Sequence, residues 1–351
     1  AGANDKNLPI YITFVDFRKA FDSINREKMS QILRHYGIPA KITQAIRVIY
    51  NNSRSSVMVE GKITEEFDVR TGVLQGDTLA PLLFIIIIDY VMKNAVRDAA
   101  EECGRHGFLT NLRVGTKSRP TTPETFVNDL DFADDIALFE NSKEACQAQL
   151  INNFQARKRS RTEIMTNQSR ENTKITLDGH DIEVVDNFKY LGSMMLSTES
   201  DFKARRGQAW NAFNKMQSIW RSKVVPIKLK AKIFEASCLS ILMYGCESWI
   251  ITQQLGQQIN SFATTAYRLM LGIQRIDRVS NDRIYEITGQ IPLVQMIKQR
   301  QLRFIGHSLR KPSSELVNKY ALYAPKANHG YRRRGRPKMS YVSYFAGLIN
   351  K

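Results

Sequence analysis

"LDFADDIALFE", residues 130–140, sets an adjacent acid pair, Asp134 and Asp135, between two largely apolar runs, 130–133 and 136–139. A carboxylate carried towards an interior is costly unless it is paired, hydrogen-bonded or metal-bound. The pattern therefore asks for a partner that the local sequence does not supply. With the residues before it, "TFVNDLDFADDIALFE" (125–140) reads as strand, tight acidic turn, strand. The tip of such a hairpin presents both acids at one sheet edge.

Gathered carboxylates most often hold divalent cations through oxygen. Asp129, Asp131 and Glu140 fall at positions 1, 3 and 12 of a calcium-binding EF-hand loop, but the match then fails. Position 5 is Ala133, position 6 is Asp134 where the turn needs Gly, and "IALF" is strand-like. Magnesium shared with a phosphate substrate suits the pattern better, because two-metal phosphoryl-transfer sites hold their ions between carboxylates. A third carboxylate is then required from a neighbouring strand. "PIYITFVDF" (9–17) is alternating, β-branched and aromatic, and reads as a strand ending at Asp16, the candidate. For an isolated acid pair, a solvated Asp-Asp turn is the competing reading.

The chain has 351 residues, enough for a large core and two or more domains. Its four cysteines, Cys103, Cys146, Cys238 and Cys246, have neither disulfide-framework nor zinc spacing. An intracellular setting, nucleus or cytoplasm, is expected. The longest apolar run, "LLFIIIIDYVM" (82–92), contains Asp89 and is too short to span a bilayer, so it reads as a buried helix and no membrane partner is expected. "AGANDKNLPI" (1–10) lacks an initiator Met, and the chain is read as starting inside a longer protein.

Charge is distributed unevenly. From 201 onward there are 26 Lys and Arg against 7 Asp and Glu; of the totals of 51 and 34, this leaves 25 basic and 27 acidic residues in 1–200. A near-neutral half holds the acid clusters and a basic half suits a polyanion, for which nucleic acid is the favoured partner.

Along the first half, Asn25 caps a helix carrying Met29, Ile32, Leu33 and Tyr36 and closed by Gly37. Pro39 opens a second helix with Ile42, Ile46 and Ile49 on one face. "SSVMVEGKITEEFDVR" (55–70) reads as a strand pair turning near Gly61, "TGVLQGD" (71–77) as a loop, and the run after Pro81 as a helix. The mixture is α+β. From about 201, Trp210, Phe213, Met216 and Trp220, and then Ile227, Ala231, Phe234, Cys238 and Ile241, recur at helical steps. From Lys311 the chain reads as polar and loop-like.

"FVDFRKAFDSI" (14–24), "TGVLQGDTLAPLLF" (71–84), "FADD" (132–135) and "FKYLG" (188–192) stand in the order of reverse transcriptase motifs A, B, C and E. The chain resembles the reverse transcriptases of non-LTR (LINE-type) retrotransposons, and the likeness continues through "AWNAFNKMQSIW", "ILMYGCESW" and "RQLRFIGHSLRKP". The resemblance implies a right-hand polymerase: palm with partial fingers over 1–200, a helical basic thumb over 201–310 and a basic flexible tail over 311–351. It implies RNA-directed DNA synthesis, with an RNA template, a DNA primer and dNTPs as partners. Asp16, Asp134 and Asp135 match the metal-binding aspartates for two Mg²⁺, with Mn²⁺ a possible substitute and the Phe17 carbonyl a further ligand. Phe21 matches the aromatic that screens the sugar 2′-position; a ring there excludes the hydroxyl that distinguishes ribose from deoxyribose. Gln75 and Gly76 match the nucleotide-contacting loop, and Tyr190, Leu191 and Gly192 the primer grip.

Two departures stand out. In "FQARKRSRTEIMT" (154–166) the family's Gly-Leu-x-Ile-Asn segment is missing, and Arg161 precedes Thr162 where the family has Lys. Arg stays protonated and is a poor general acid. The family's fingers strands and endonuclease domain are expected on an upstream part of a longer chain. In the basic half, Arg205, Arg206, Arg221, Lys223, Lys228 and Lys230 are candidates for nucleic-acid backbone contacts, while the tryptophans read as core. "RRRGRP" (332–337) resembles the core of an AT-hook, although a disordered basic tail explains it better. Two other readings stay open: a non-catalytic nucleic-acid-binding remnant of such an enzyme, and an acid-lined metallonuclease, which lacks a His or Lys base in the motifs and leaves the second motif unexplained.

Overall fold

The computed structural model describes residues 9–17, 19–103, 108–110, 125–154, 160–168, 174–177, 179–195, 197–321 and 341–349, with side chains undescribed at 16, 95–103, 108–110, 125–126, 152–154, 160–161, 275 and 319–320. The chain divides into two compact units, Asn7–Asp186 and Asn187–Lys351.

The first unit is built on β1 (Tyr11–Phe17), the middle strand of a five-stranded sheet. The other strands are β2 (Asp129–Phe132), β3 (Asp135–Glu140), β4 (Ser160–Thr166) and β5 (Glu183–Val184), in the order β5-β4-β1-β3-β2. β3 and β4 flank β1 antiparallel, and β5 joins β4 in parallel. Tyr11, Ile12, Thr13, Phe14 and Val15 are all buried, so both faces of β1 are covered. That explains a run with no polar side other than Thr13, whose hydroxyl lies 3.3 Å from the Cys146 thiol of α4 (Lys143–Phe154).

Around the sheet stand α1 (Arg26–His35), α2 (Ala40–Asn51) and α3 (Ala80–Cys103). The Asn25 side chain accepts the Glu27 and Lys28 amides at 3.0 Å each, as an N-cap does, and Gly37 takes the left-handed φ of 77° that closes α1. In α2 the expected face is corrected. Thr43, Ile46 and Tyr50 point inward, while Ile42 and Ile49 are exposed. Both sets are helical stripes. The buried one wins because Tyr50 has polar tasks at both ends, its carbonyl accepting from Arg26 and its hydroxyl donating to Asp77. The ribbon after α2 turns at Glu60–Gly61, both at positive φ, with Met58 paired to Ile63.

In the second unit the short hairpin Lys189–Tyr190/Ser193–Met194 precedes the helices. These include α5 (Thr198–Lys215), α6 (Gln217–Arg221), α7 (Ile227–Phe234), α8 (Gln253–Leu271), α9 (Asn281–Thr288), α10 (Leu293–Arg310), α11 (Leu316–Ala321) and α12 (Tyr341–Ile349). Phe234, fully buried, is the hub of an aromatic core. Phe213, Trp220, Phe262 and Tyr267 lie with ring centroids 5.9, 6.5, 6.0 and 5.4 Å from it. After α7 a π-helical turn, Glu235–Leu239, shifts the helical phase by one residue, which brings Leu242 into the core and leaves Ile241 only half-buried.

The loop-like reading from Lys311 does not hold at the end of the chain. Tyr341–Ile349 is a helix whose Phe345 is fully buried, and Tyr344 donates to Gln301 at 3.0 Å. Gln301, itself buried, bonds the Cys246 and Trp249 carbonyls at 2.9 and 2.8 Å. A nine-residue apolar segment was hidden by the charge of the stretch before it; "RRRGRP" lies outside the described residues. No helix among the described residues is long and apolar enough to cross a membrane.

Phe234→Ala should lower the stability of the helical unit by about 3–5 kcal/mol, the usual cost of emptying a buried aromatic site. Chemical denaturation followed by tryptophan fluorescence measures it.

Candidate functional site

Hydrophobic patterning sets β1 and β3 side by side, and the register follows. Asp16 is the partner of Asp135, Val15 of Ile136 and Phe14 of Ala137. β2 returns through a two-residue turn with Phe132 opposite Asp135. Asp134 is therefore the turn's second residue, and Asp135 the first of β3. Ala133 occupies the turn's first position at φ 54°, a conformation that costs a residue with a Cβ about 1 kcal/mol or more. Asp134 and Asp135 are half-buried.

Asp135 and Asp16 thus share one register position across two strands, with Asp134 the adjacent residue of the turn. The Asp16 side chain lies outside the described residues. The Phe17 backbone, also a candidate, ends β1, opposite Ser160 of β4. On the other side of Asp16 the register partner is Arg161. All the donors in this set are oxygens, the hard ligands that Mg²⁺ and Mn²⁺ prefer, and the set fits such ions chemically. Among the described side chains, no group of three or more His, Cys, Asp and Glu forms a metal cluster.

Next to the turn, β2 carries Asp129 and Asp131, two residues apart and so on one face. Loss of hydration raises the pKa of both. Asp131, the more exposed of the two, is lifted to about 7, with the Asp129 charge, the hydrogen bond between the two and then Asp89 adding to the effect. Asp89 of α3 remains ionised, since Lys93 at 2.7 Å and the Tyr36 hydroxyl hold its pKa down.

The loop after the exposed ribbon is pinned at both ends. Gly72 lies at φ 80°, and a Cβ there would stand 2.6–2.8 Å from backbone atoms of Phe21 and Asp22. Its amide donates to Ile24 at 2.9 Å, and the Val73 amide donates to the Phe21 carbonyl at 2.9 Å. At the far end the Tyr50 hydroxyl donates to Asp77 at 2.7 Å; burial and Asp77 push the Tyr50 pKa up to about 12, and the same bond lowers that of Asp77. Gln75 and Gly76 form the exposed crown between these anchors, Gly76 at φ 95°. Arg26 holds the near end from beneath, donating to the carbonyls of Tyr50, Val69 (2.7 Å), Gly72 (2.9 Å) and Thr71 (3.3 Å) and to the Ser53 hydroxyl (3.1 Å). Phe21 stacks on Phe84 of α3, centroids 4.5 Å apart and planes 16° from parallel. Arg26, Tyr50 and Phe84 were not anticipated. Nothing local marks Arg26, the first helical residue after a cap, as a buried ligand of four carbonyls.

The basic candidates separate into two groups. Arg221, Lys223 and Lys228 are exposed, and the half-buried Arg206 lies over the Phe202 ring at 5.5 Å. Arg205 and Lys230 are buried. Lys230 donates to the Trp220 carbonyl at 2.7 Å, and Arg205 pairs with Asp201 at 3.3 Å and donates to the Gly192 carbonyl at 2.6 Å. These two have internal roles in place of the phosphate contacts expected of them, because each sits on the core side of its helix. Trp220 is buried and Trp210, half-buried, packs against the same core, in agreement with the reading of these tryptophans as core. Tyr190, Leu191 and Gly192 form the turn of the hairpin, Leu191 at φ 48° and Gly192 at 81°.

An α+β unit with paired acids at the end of its central strands has the architecture of a polymerase palm. Residues 2–195 match the family model described as "Reverse transcriptase (RNA-dependent DNA polymerase)", more than half of the chain, and the chain belongs to that family. The relatives are mobile elements, as the non-LTR resemblance implied. The chain is 24% identical over 305 residues to a retrovirus-related Pol polyprotein from type-1 retrotransposable element R2 of Popillia japonica, covering 81% of this chain and 46% of that one. To the corresponding polyprotein of Nasonia vitripennis it is 30% identical over 141 residues, 40% of this chain and 12% of the other. The chain thus spans less than half the length of these curated relatives. A solved telomerase of Candida albicans, in complex with a fragment of telomeric RNA, aligns over 89% of this chain and 49% of its own at 13% identity and a TM-score of 0.36.

Gly72→Ala should destabilise the first unit by roughly 2 kcal/mol or more, combining backbone overlap with a left-handed φ; denaturant midpoints of the two proteins check it. Asp131 gives a pH signature. Its pKa is raised on folding, so the folded state holds the proton more tightly and this site's contribution to stability falls as pH rises from its ordinary value of 3.8 to about 7. Asp131→Asn should therefore raise the melting temperature most above pH 7 and least near pH 4.

Proposed function

We propose that the chain is the RNA-directed DNA polymerase core of a non-LTR retrotransposon of R2 type, transferring a nucleotide from a dNTP to a primer 3′-hydroxyl. The observation that carries this reading is the β1–β3 register, Asp16 opposite Asp135 with Asp134 adjacent, in a chain whose residues 2–195 match the reverse transcriptase family. Asp16, Asp134 and Asp135, with the Phe17 carbonyl, would hold two Mg²⁺, and Mn²⁺ fits the same oxygen donors. Such ions supply charge stabilisation and activation of the attacking oxygen when bound.

The other roles follow from position. Phe21, backed by Phe84, presents a fixed aromatic edge against the sugar 2′-position. Gln75 and Gly76, at the crown of a loop anchored on either side, meet the incoming nucleotide: Gly76 lets backbone approach closely, and Gln75 offers both a donor and an acceptor. The hairpin at Tyr190–Gly192 contacts the primer end. Arg206, Arg221, Lys223 and Lys228 make contacts with the phosphates of the template–primer duplex, which give affinity without sequence choice and a steep salt dependence. RNA template, DNA primer and dNTPs are the partners this requires, in the nucleus or the cytoplasm.

One observation favours a second reading, a nucleic-acid-binding relative without catalysis. Arg161 stands where the family has a Lys able to give up a proton.

Primer extension on an RNA template separates the two. Wild-type protein with Mg²⁺, and again with Mn²⁺, should extend the primer, while Asp134→Asn should lower the rate roughly a thousandfold, several kcal/mol of lost charge stabilisation. Template binding without extension in either metal would establish the non-catalytic reading.

A further inference from the structure

The hairpin assigned above to the primer end is held at its turn by two residues far along the chain. The Arg205 guanidinium donates to the Gly192 carbonyl at 2.6 Å and to the Ser193 hydroxyl at 3.1 Å. The Tyr244 hydroxyl donates to the Leu191 carbonyl at 3.1 Å, and its ring lies against the guanidinium, 4.6 Å from centroid to Cζ. Both carbonyls of the turn are thus taken. Behind Arg205, Asp201 accepts the Met194 amide at 3.0 Å, on the hairpin's return strand, and the Trp249 indole N–H at 2.9 Å. Asp201 and Arg205 are both buried, so this pair is spared the solvent screening of surface ion pairs. Gly245, at φ 72°, comes so close that a Cβ there would stand 2.4 Å from the Ser193 hydroxyl. The "ILMYGCESW" stretch therefore serves as a bed for the hairpin, through Tyr244, Gly245 and Trp249.

We propose that Arg205 and Tyr244 are positioning residues for the primer terminus: they fix the Leu191–Gly192 turn, and with it the primer 3′-hydroxyl, without touching nucleic acid. This rests on the reading of 188–192 as the primer grip. A two-stranded hairpin of four paired residues has little stability of its own, so its turn adopts one position only where the surroundings impose it. Overall affinity for template–primer comes from many phosphate contacts and should not depend on this turn. Misplacing the reacting hydroxyl should instead lower the rate of the chemical step.

The test uses the full chain with two conservative variants. Tyr244→Phe removes one hydroxyl from a half-exposed ring and should fold like wild type; Arg205→Lys keeps the charge and loses the fork. The turnover number of primer extension should fall about three- to tenfold in Tyr244→Phe and more in Arg205→Lys, as the loss of one or two hydrogen bonds implies. The template–primer Kd, the dNTP KM and the Tyr244→Phe melting temperature should stay within experimental error. A second readout is independent of activity: 2-aminopurine at the primer 3′ terminus should change fluorescence on binding wild type and less so on binding either variant. Unchanged turnover and unchanged 2-aminopurine response in Tyr244→Phe would overturn the proposal, as would losses confined to Kd. If wild type itself gives no 2-aminopurine response while still binding the duplex, the primer-grip assignment has failed, and the proposal with it.

Discussion

Everything at the acid site depends on the backbone pairing of β1 with β3. Side chains alternate along a strand, so a slip of one residue would turn Asp135 to the opposite face and move Ile136 and Leu138, both buried, out of the core. The apolar residues of "IALF" thus do two jobs: they fill the interior and they lock the register that sets Asp16 opposite Asp135. Because β1 is covered on both faces, it cannot shift without exposing Phe14 and Val15 together. Burial of the acids' apolar neighbours fixes the register that sets Asp16 and Asp135 opposite one another.

The supports of the candidate residues in each unit follow a common physical pattern. Arg26 and Arg205 are both buried guanidiniums whose donors go to backbone carbonyls of a turn or loop. A turn leaves carbonyls that no ladder pairs, and burying them unpaired is costly. Arginine, with five donors in a fixed plane, can satisfy several at once and hold the loop in one shape. One such residue underlies the loop bearing Gln75 and Gly76 and the other the hairpin bearing Leu191 and Gly192. In each unit the exposed candidate residues stand over a buried cation that has no business with solvent.

The acid constellation was legible because three separate signals agreed: a strand ending at Asp16, an acid pair at 134–135 set in a tight turn between apolar runs, and motifs in a fixed order. The helical half was legible for a similar reason, since Phe213, Trp220 and Phe234 recur at helical spacing. What was not legible is instructive. Arg205 and Lys230 sit among other basic residues, and composition alone cannot say which of them faces the core; that depends on helical phase, which a break at Met216 and a π-helical turn after Phe234 alter. Ile42–Ile46–Ile49 was as good a stripe as Thr43–Ile46–Tyr50 by hydropathy. The choice was made by hydrogen bonds to residues 24 and 27 positions away, Arg26 and Asp77, which no local pattern encodes.

A strand register or a buried aromatic cluster tolerates many exchanges of one apolar residue for another, provided volume and period are kept. A glycine pressed against the Phe21–Asp22 backbone, or an arginine meeting four carbonyls, tolerates almost none. Arg26, Gly72 and Gly245 are such positions, and they lie behind candidate contact residues and not among them. Phe84, stacked on Phe21, and Tyr244, bonded to the Leu191 carbonyl, would act in this way, holding candidate contact residues in place without meeting substrate themselves. Specificity in such a site depends on rigidity supplied from behind as much as on the groups in front.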